Sequence, residues 1–330
     1  MSLSDLLKIQ WNHQWYRSQK SWSAIPSKFK NPFFVVELLT KFTVISGSSS
    51  KDLAKKLAKR LGANLLKSQL RVFPDGESKI TLEGKLQKNK IIVIQSTYPP
   101  VDENLIQTLS IISKAKEYGT EIIAVIPYMG YARQDREFLP GEVITMKVIA
   151  NLFKSVGTSR IIVVDIHSMI GLKYFNIKSK NVTAIPDLVK YFSKLKLKNP
   201  LVVSPDQGGK ERAKEFAKFL NTEYISLEKQ RDRKTGKVEI KTTNFNEVTG
   251  RDLILVDDMI STGGSIIKAT EFLKKQKCAR VFVACTHALL RNDAEKKIKK
   301  AGVTKIISTN TIPGKTSLVD VSGTIAKAII

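Results

Sequence analysis

FTVISGSSSKDLAKKLAKRL, Phe42 to Leu61, can be laid on LVVSPDQGGKERAKEFAKFL, Leu201 to Leu220. Each stretch opens on a short β-branched run, passes through small residues and closes on an amphipathic helical pattern. Lys51, Ala54, Lys55, Ala58, Lys59 and Leu61 match Lys210, Ala213, Lys214, Ala217, Lys218 and Leu220. At nearly the same offset IIVIQST, from Ile91, falls on LILVDDM, from Leu253, and EIIAVIPY, from Glu121, on RVFVACTH, from Arg280. One pair of similar amphipathic helices is within chance; three matches in the same order indicate a duplication.

Working outward, FTVIS, IIVIQST, EIIAVIPY, RIIVVDIHS, LVVSPD, DLILVDD, RVFVACTH and KIISTN are short β-branched runs, most of them leading into helical segments. That rhythm predicts an α/β fold with parallel sheets. With the duplication it predicts two similar domains, over residues 41–186 and 187–330. The copies differ where chemistry would sit: Gly47 stands opposite Asp206, and Gln95-Ser96 opposite Asp257-Asp258. Acids in the second copy alone place one sugar-phosphate or metal site there. Residues 1–40 are unlike the rest, holding all three tryptophans (Trp11, Trp15, Trp22) and little helical periodicity. They read either as an appended N-terminal extension or as a translation start set too early.

At 330 residues the chain has room for two cores, and 42% hydrophobic with 26% charged residues is globular composition. The formal charge of +25 raises nucleic-acid binding. The lysines, however, are spread over helix faces such as Lys51, Lys55, Lys59 and Lys214, Lys218 and are not interleaved with aromatics. A solvated basic surface meeting anionic small substrates is the preferred reading, with no nucleic acid as partner. Cys278 and Cys285 lack zinc-type spacing, so a reducing, cytoplasmic setting without structural disulfides is expected. No apolar run approaches the roughly 20 residues of a bilayer span. Phe33–Leu39 is too short for a signal sequence and carries Glu37. No membrane role is expected.

LILVDDMISTGG, Leu253 to Gly264, joins an apolar run, two adjacent carboxylates and a Ser-Thr-Gly-Gly loop. Small residues ahead of a helix, which should begin near Ser265, suit a bound anion. Two negative charges beside an anion site need a ligand with two kinds of group. A ribose 5-phosphate meets that demand: its phosphate lies on the backbone of Ser261, Thr262, Gly263, Gly264 and Ser265, and its cis-diol faces Asp257 and Asp258. An isolated Asp-Asp would read as a strand end before a helix cap; the whole VDDMISTGGS run reads otherwise.

VDDMISTGGS resembles the phosphoribosyl-pyrophosphate loop shared by type I phosphoribosyltransferases and ribose-phosphate diphosphokinases. FPDGE (Phe73–Glu77), YARQDR (Tyr131–Arg136), VDIHS (Val164–Ser168), VVSPDQGG (Val202–Gly209) and EKQR (Glu228–Arg231) are similar to the diphosphokinase pattern, in its order. The resemblance covers about Phe42 to Ile330 and is nearest to the archaeal-type members. It implies two type I phosphoribosyltransferase-like domains, each a mostly parallel sheet flanked by helices. It also implies the reaction of ATP and ribose 5-phosphate to phosphoribosyl pyrophosphate and AMP, with Mg2+ as cofactor. By the same resemblance Phe73, Asp75, Gly76 and Glu77 contact adenine from a neighbouring subunit, which makes a homo-oligomer with a dimer as its minimal unit. Arg133 and Gln134 add ATP contacts. His167 and Asp206 match the magnesium-associated pair. The carboxylate is a natural magnesium ligand, while the imidazole serves the metal, a phosphate oxygen or a metal-bound water.

Lys229 and Arg231 match the cations of the family's mobile catalytic loop, Arg231 also facing ribose 5-phosphate, and the surrounding EKQRDRKTGK suits a β-hairpin-like excursion. In-line attack on the β-phosphorus of ATP needs fixed cations more than a covalent nucleophile. A phosphoribosyltransferase shares the VDDMISTGGS loop but has no use for FPDGE and YARQD. A non-catalytic synthetase-associated subunit would be expected to have lost Lys229, Arg231, His167 or Asp206. The sequence departs from the family at Ser261, where many members have aspartate. REFLPGEV, Arg136 to Val143, also lacks the lysine-rich character of the allosteric loop of many members.

Overall fold

The computed structural model describes residues 42–231, 238–241 and 248–330, with the backbone alone at 228–231 and 238–241. The expected extension over residues 1–40 lies outside the described residues. A first sheet contains β1 (Phe42–Ser46), β2 (Asn64–Val72), β3 (Ser78–Glu83), β4 (Lys90–Ile94), β5 (Glu121–Ile126), β6 (Arg160–Val164) and β7 (Lys178–Val182). Its strand order is β3-β2-β1-β4-β5-β6-β7, and β2–β3 is the one antiparallel pairing in it. The second sheet contains β8 (Leu201–Ser204), β9 (Glu223–Ser226), β12 (Leu253–Ile260), β13 (Val281–Ala288), β14 (Val303–Thr309) and β15 (Ser317–Val319). From its β9 edge the order is β9-β8-β12-β13-β14-β15, parallel throughout. That order repeats β2-β1-β4-β5-β6-β7 strand for strand. Beyond β9, β10 (Glu228–Arg231) pairs antiparallel with β11 (Val238–Lys241).

The central strands are buried on both faces, which is why KIIVI and EIIAVI are apolar without alternation. The eight runs legible in the sequence are β1, β4, β5, β6, β8, β12, β13 and β14. Helices α1 (Lys51–Leu61) and α6 (Lys210–Leu220) occupy the same place in the two halves. Each follows a short 3-10 turn and ends on a left-handed residue, Gly62 at φ 58° and Asn221 at φ 55°. Helices α2 (Val101–Lys116) and α3 (Thr145–Ser155) cover one face of the first sheet. On the second sheet α7 (Gly264–Lys275) and α8 (Ala294–Lys300) do the same.

A third cluster of buried residues joins the halves. It runs from Val44 and Ile92 through α1 and α6 to Val202 and Ile254, and includes α5 (Ile185–Phe192) and α9 (Ser322–Ile329). These two helices are exchanged: α5 packs on α6, β14 and β15, whereas α9 packs on α1, β6 and β7. Residues 186 and 187, on either side of the expected boundary, both lie within α5. Phe192 packs edge-on against Phe216 and Phe282, at 5.6 and 6.4 Å between ring centres. Polar contacts tie α9 in place: Arg60 donates to Ser322 Oγ at 2.6 Å and pairs with Asp320 at 3.2 Å, and Arg160 donates to the carbonyls of Ala328 and Ile329. Among the described residues no helix is long and apolar enough to cross a membrane. Cys278 and Cys285 are buried and unbridged.

Candidate active site

Leu253–Val256 of β12 are buried and paired with β13 on one side, and Leu253–Leu255 also pair with β8 on the other. The acid pair therefore emerges toward the carboxyl end of a central strand, the usual ligand end of an open α/β sheet. The acids do not end the strand. It runs two residues further, because Met259 and Ile260 continue the ladder with His287 and Ala288.

The loop then turns at Gly263, whose φ of 80° and close approach to α8 both require glycine: a Cβ there would lie 2.7 Å from Ile298 Cδ1. A Cβ at Gly264 would meet nothing within 4 Å. Helix α7 starts at Gly264 with no side chain capping its N-terminus, so the positive end of its dipole is directed at this loop. Asp257 and the run Met259–Ile266, with Arg133 and Lys268, line a cavity of about 460 Å³. Arg133 comes from the other half of the chain, in the turn after β5, where Gly130 donates to Thr97 Oγ1 at 2.7 Å and Gln134 to the Tyr131 carbonyl at 2.8 Å. An expected ATP contact and the expected ribose 5-phosphate loop thus share one cavity.

The two acids have different surroundings. Asp258 is 4% exposed, and its Oδ2 lies 2.6 Å from His167 Nδ1. Arg212, on α6, forks across the pair: Nη1 is 3.6 Å from Asp257 Oδ1 and Nη2 is 3.6 Å from Asp258 Oδ2. Burial would raise Asp258, but the His167 hydrogen bond and the Arg212 charge hold its carboxyl well below the usual range. Asp257 goes the other way: burial, and next the charge of Asp258, push its pKa up to about 8. The two carboxyls therefore differ in proton affinity, Asp257 holding its proton more tightly than Asp258.

His167 is itself held. Asp165 takes φ 39°, and its Oδ2 accepts from Ala184 N at 2.9 Å and from Thr286 Oγ1 at 2.6 Å, pinning the end of β6 to β13. Ser168 caps the short α4 (Met169–Lys173) and donates to Asp135. The partner found for His167 is Asp258; Asp206 instead heads the turn into α6, its Oδ1 accepting from Gly209 N at 3.3 Å. Among the described residues no group of three or more His, Cys, Asp and Glu stands in position to hold a metal. The Asp206 carboxylate is a hard oxygen donor and fits Mg2+, which takes few protein ligands and keeps water and substrate phosphate oxygens.

Phe73, Asp75, Gly76, Glu77 and Gln134 are not among the described residues that line the cavity. FPDGE forms the tip of the β2–β3 hairpin: Gly76, at φ 92°, donates to the Phe73 carbonyl at 2.9 Å, and Asp75, Gly76 and Glu77 are exposed. Gln134 is turned toward α3, where Thr145 Oγ1 donates to its Oε1 at 2.6 Å. Lys229 and Arg231 lie on β10, paired with Ile240 and Val238; their side chains fall outside the described residues. Arg212 escaped the sequence reading, although a signal was present: in the repeat it stands opposite Leu53.

Two family models match the chain: the N-terminal domain of ribose phosphate pyrophosphokinase over residues 42–157, and the phosphoribosyl transferase domain over residues 180–320. A ribose-phosphate pyrophosphokinase of Sulfurisphaera tokodaii is 39% identical over 290 residues, covering 87% of this chain and 99% of that protein. One from Pasteurella multocida is 36% identical over 298 residues, covering 87% and 94%. The crystal structure of the phosphoribosylpyrophosphate synthetase from Mycobacterium smegmatis superposes with a TM-score of 0.77 at 26% identity, covering 88% of this chain and 97% of that one. The repeated α/β sheets, the paired acids before a glycine loop and these matches lead to one assignment: the chain belongs to the ribose-phosphate pyrophosphokinase family.

Proposed function

We propose that this protein transfers the diphosphoryl group of ATP to the C1 hydroxyl of ribose 5-phosphate, giving 5-phosphoribosyl 1-diphosphate and AMP. The observation that carries this is the cavity in which Arg133 from one half faces Asp257 and the Ser261–Ser265 loop from the other. The 5-phosphate sits on the loop amides and the hydroxyls of Ser261, Thr262 and Ser265, at the N-terminus of α7. The sugar diol meets Asp257 and Asp258, whose carboxylates accept from its hydroxyls. Arg133 holds the triphosphate, and Lys229 and Arg231 close from β10 over the oxygens on which charge develops. Asp206 and His167 would hold Mg2+ together with substrate oxygens, and the ion would supply charge neutralisation for the transferring group.

Adenine, in this reading, is held by Phe73, Asp75, Gly76 and Glu77 of a second copy, with Gln134 assisting. The exposed hairpin tip supports a contribution in trans. So do the exposed apolar side chains of Phe138, Leu139, Val143 and Val148, which suit a homo-oligomer with a dimer as its minimal unit. Two unbridged thiols suit the reducing interior of a cell. Phosphorus NMR of the protein with ATP, Mg2+ and ribose 5-phosphate tests the proposal. AMP together with a new C1 diphosphate is expected. ADP would make the protein a simple kinase, and absence of turnover would leave it a binding subunit.

A further inference from the structure

Two carboxylates on consecutive residues of a strand ordinarily point to opposite faces, yet Asp257 and Asp258 both reach the guanidinium of Arg212. The two contacts use different nitrogens, so the planar fork spans the pair as a point charge could not. The turn into α6 is closely packed beside the fork: a Cβ at Gly209 would lie 2.6 Å from Ser204 Oγ. Arg212 is mostly buried, its side chain 22% exposed, and it enters from the helix that starts beyond Asp206.

The duplication supplies an independent observation. Position 212 corresponds to Leu53, which is 2% exposed and part of the core around α1. The copy with leucine on the helix has Gln95-Ser96 on the strand, and the copy with arginine has Asp257-Asp258. Cation and acids are present together or absent together within one chain.

We infer that Arg212 is a positioning residue: it holds Asp257 and Asp258 as one unit aimed at the sugar diol, and so sets discrimination between ribose 5-phosphate and its 2-deoxy analogue. The inference rests on the ribose 5-phosphate reading of the loop. Arg212 acts through the acids and touches no reacting atom. Its removal should therefore appear in affinity for ribose 5-phosphate and in sugar preference, with the KM for ATP unchanged.

The test compares wild type, Arg212→Met, Arg212→Lys, Asp257→Asn and Arg212→Met with Asp257→Asn. Calorimetric binding of each sugar phosphate is measured beside steady-state rates, and circular dichroism checks that each variant is folded. Arg212→Met should weaken ribose 5-phosphate roughly 10- to 100-fold and the deoxy sugar much less, while Arg212→Lys recovers part of the loss. In the double variant the losses should be far from additive, since both substitutions break one unit. If Arg212→Met weakens both sugars equally, or its effect adds to that of Asp257→Asn, the inference is overturned while the proposed function stands. If wild type binds no ribose 5-phosphate, the proposed function fails and this inference fails with it.

Discussion

The two halves of the chain end their central strands in opposite ways. In the first, β4 leads to Gln95, fully buried and self-satisfied: its Oε1 accepts from Ser49 N at 2.9 Å, and its Nε2 donates to Ser48 Oγ, Asn104 Oδ1 and Gln107 Oε1. The amide fills the loop so closely that a Cβ on Gly47 would lie 2.1 Å from Gln95 Oε1. In the second half β12 leads to two acids that meet Arg212 of their own half and His167 of the other, beside an open cavity. A neutral amide, able to donate and accept, closes a site. A pair of carboxylates, able only to accept when ionised, keeps one.

The hairpins make the same contrast. In the repeat β2–β3, with FPDGE at its tip, occupies the place of β9 followed by β10–β11, with Lys229 and Arg231. If the second hairpin supplies charge in transit and the first only binding, Lys229→Ala or Arg231→Ala should lower kcat by about 10²–10³ with KM nearly unchanged. Asp75→Ala should instead raise the KM for ATP. Steady-state kinetics of the three variants would break the comparison if the β10 substitutions acted on KM alone.

A converse test places an acid in the closed half. Gln95→Glu would set a carboxylate against Asn104 Oδ1 and Gln107 Oε1, with Leu53 where the other half has arginine. A buried charge set against two acceptor oxygens is costly, and a loss of about 3 kcal/mol is expected by denaturant titration. Stability within ~0.5 kcal/mol of wild type would mean that closure of the first half does not depend on amide chemistry.

The open half has its own measure. Asp257→Ala should lower kcat/KM for ribose 5-phosphate by roughly 10- to 150-fold and for the 2-deoxy sugar far less. Thr262→Ala, on the phosphate, should weaken both sugars about equally. The ratio of kcat/KM values decides: if neither Asp257→Ala nor Asp258→Ala narrows it, the acids do not hold the diol.

Much of this contrast was legible in the sequence because the repeated strands are buried on both faces and therefore apolar, and because acids stand opposite neutral residues at matched positions. The edge strands were not flagged as runs. β7, KSKNV, and β15, SLV, lie at sheet edges where exposure admits polar residues. The contacts that complete the site were also hidden. His167 and Asp258 are 91 positions apart, and the exchange of α5 and α9 joins residues as distant as Arg160 and Ala328. Periodicity reports which face of an element is buried but not which element covers it. Arg212 was the avoidable omission, since a charged residue opposite a core leucine is the kind of mismatch a duplication exposes.

The smallest expected effect concerns an ion pair that both halves carry with reversed sign. Lys90 and Glu121 open β4 and β5 and meet at 2.9 Å, while Asp252 precedes β12 and meets Arg280, just before β13, at 2.5 Å. The first pair is exposed, and Glu121→Gln should stay within ~1 kcal/mol of wild type. In the second, Asp252 is fully buried and also accepts from Lys198 N at 2.6 Å, so its carboxylate depends on these donors. Hydrogen bonds from Arg280, against the opposing effect of burial, hold its pKa below the ordinary value. A folded-state pKa below the unfolded one stabilises the protein above about pH 4 and loses that stabilisation as pH falls through the folded value. Arg280→Met should therefore lower Tm near neutrality by on the order of 2 °C, more than Glu121→Gln does. The gap between wild type and Arg280→Met should then close on acidification below about pH 4. Thermal melts of the two variants across that range separate the pairs: a gap for Arg280→Met that persists in acid would show that Arg280 acts by packing on Phe282, 5.2 Å from its ring centre, rather than through Asp252.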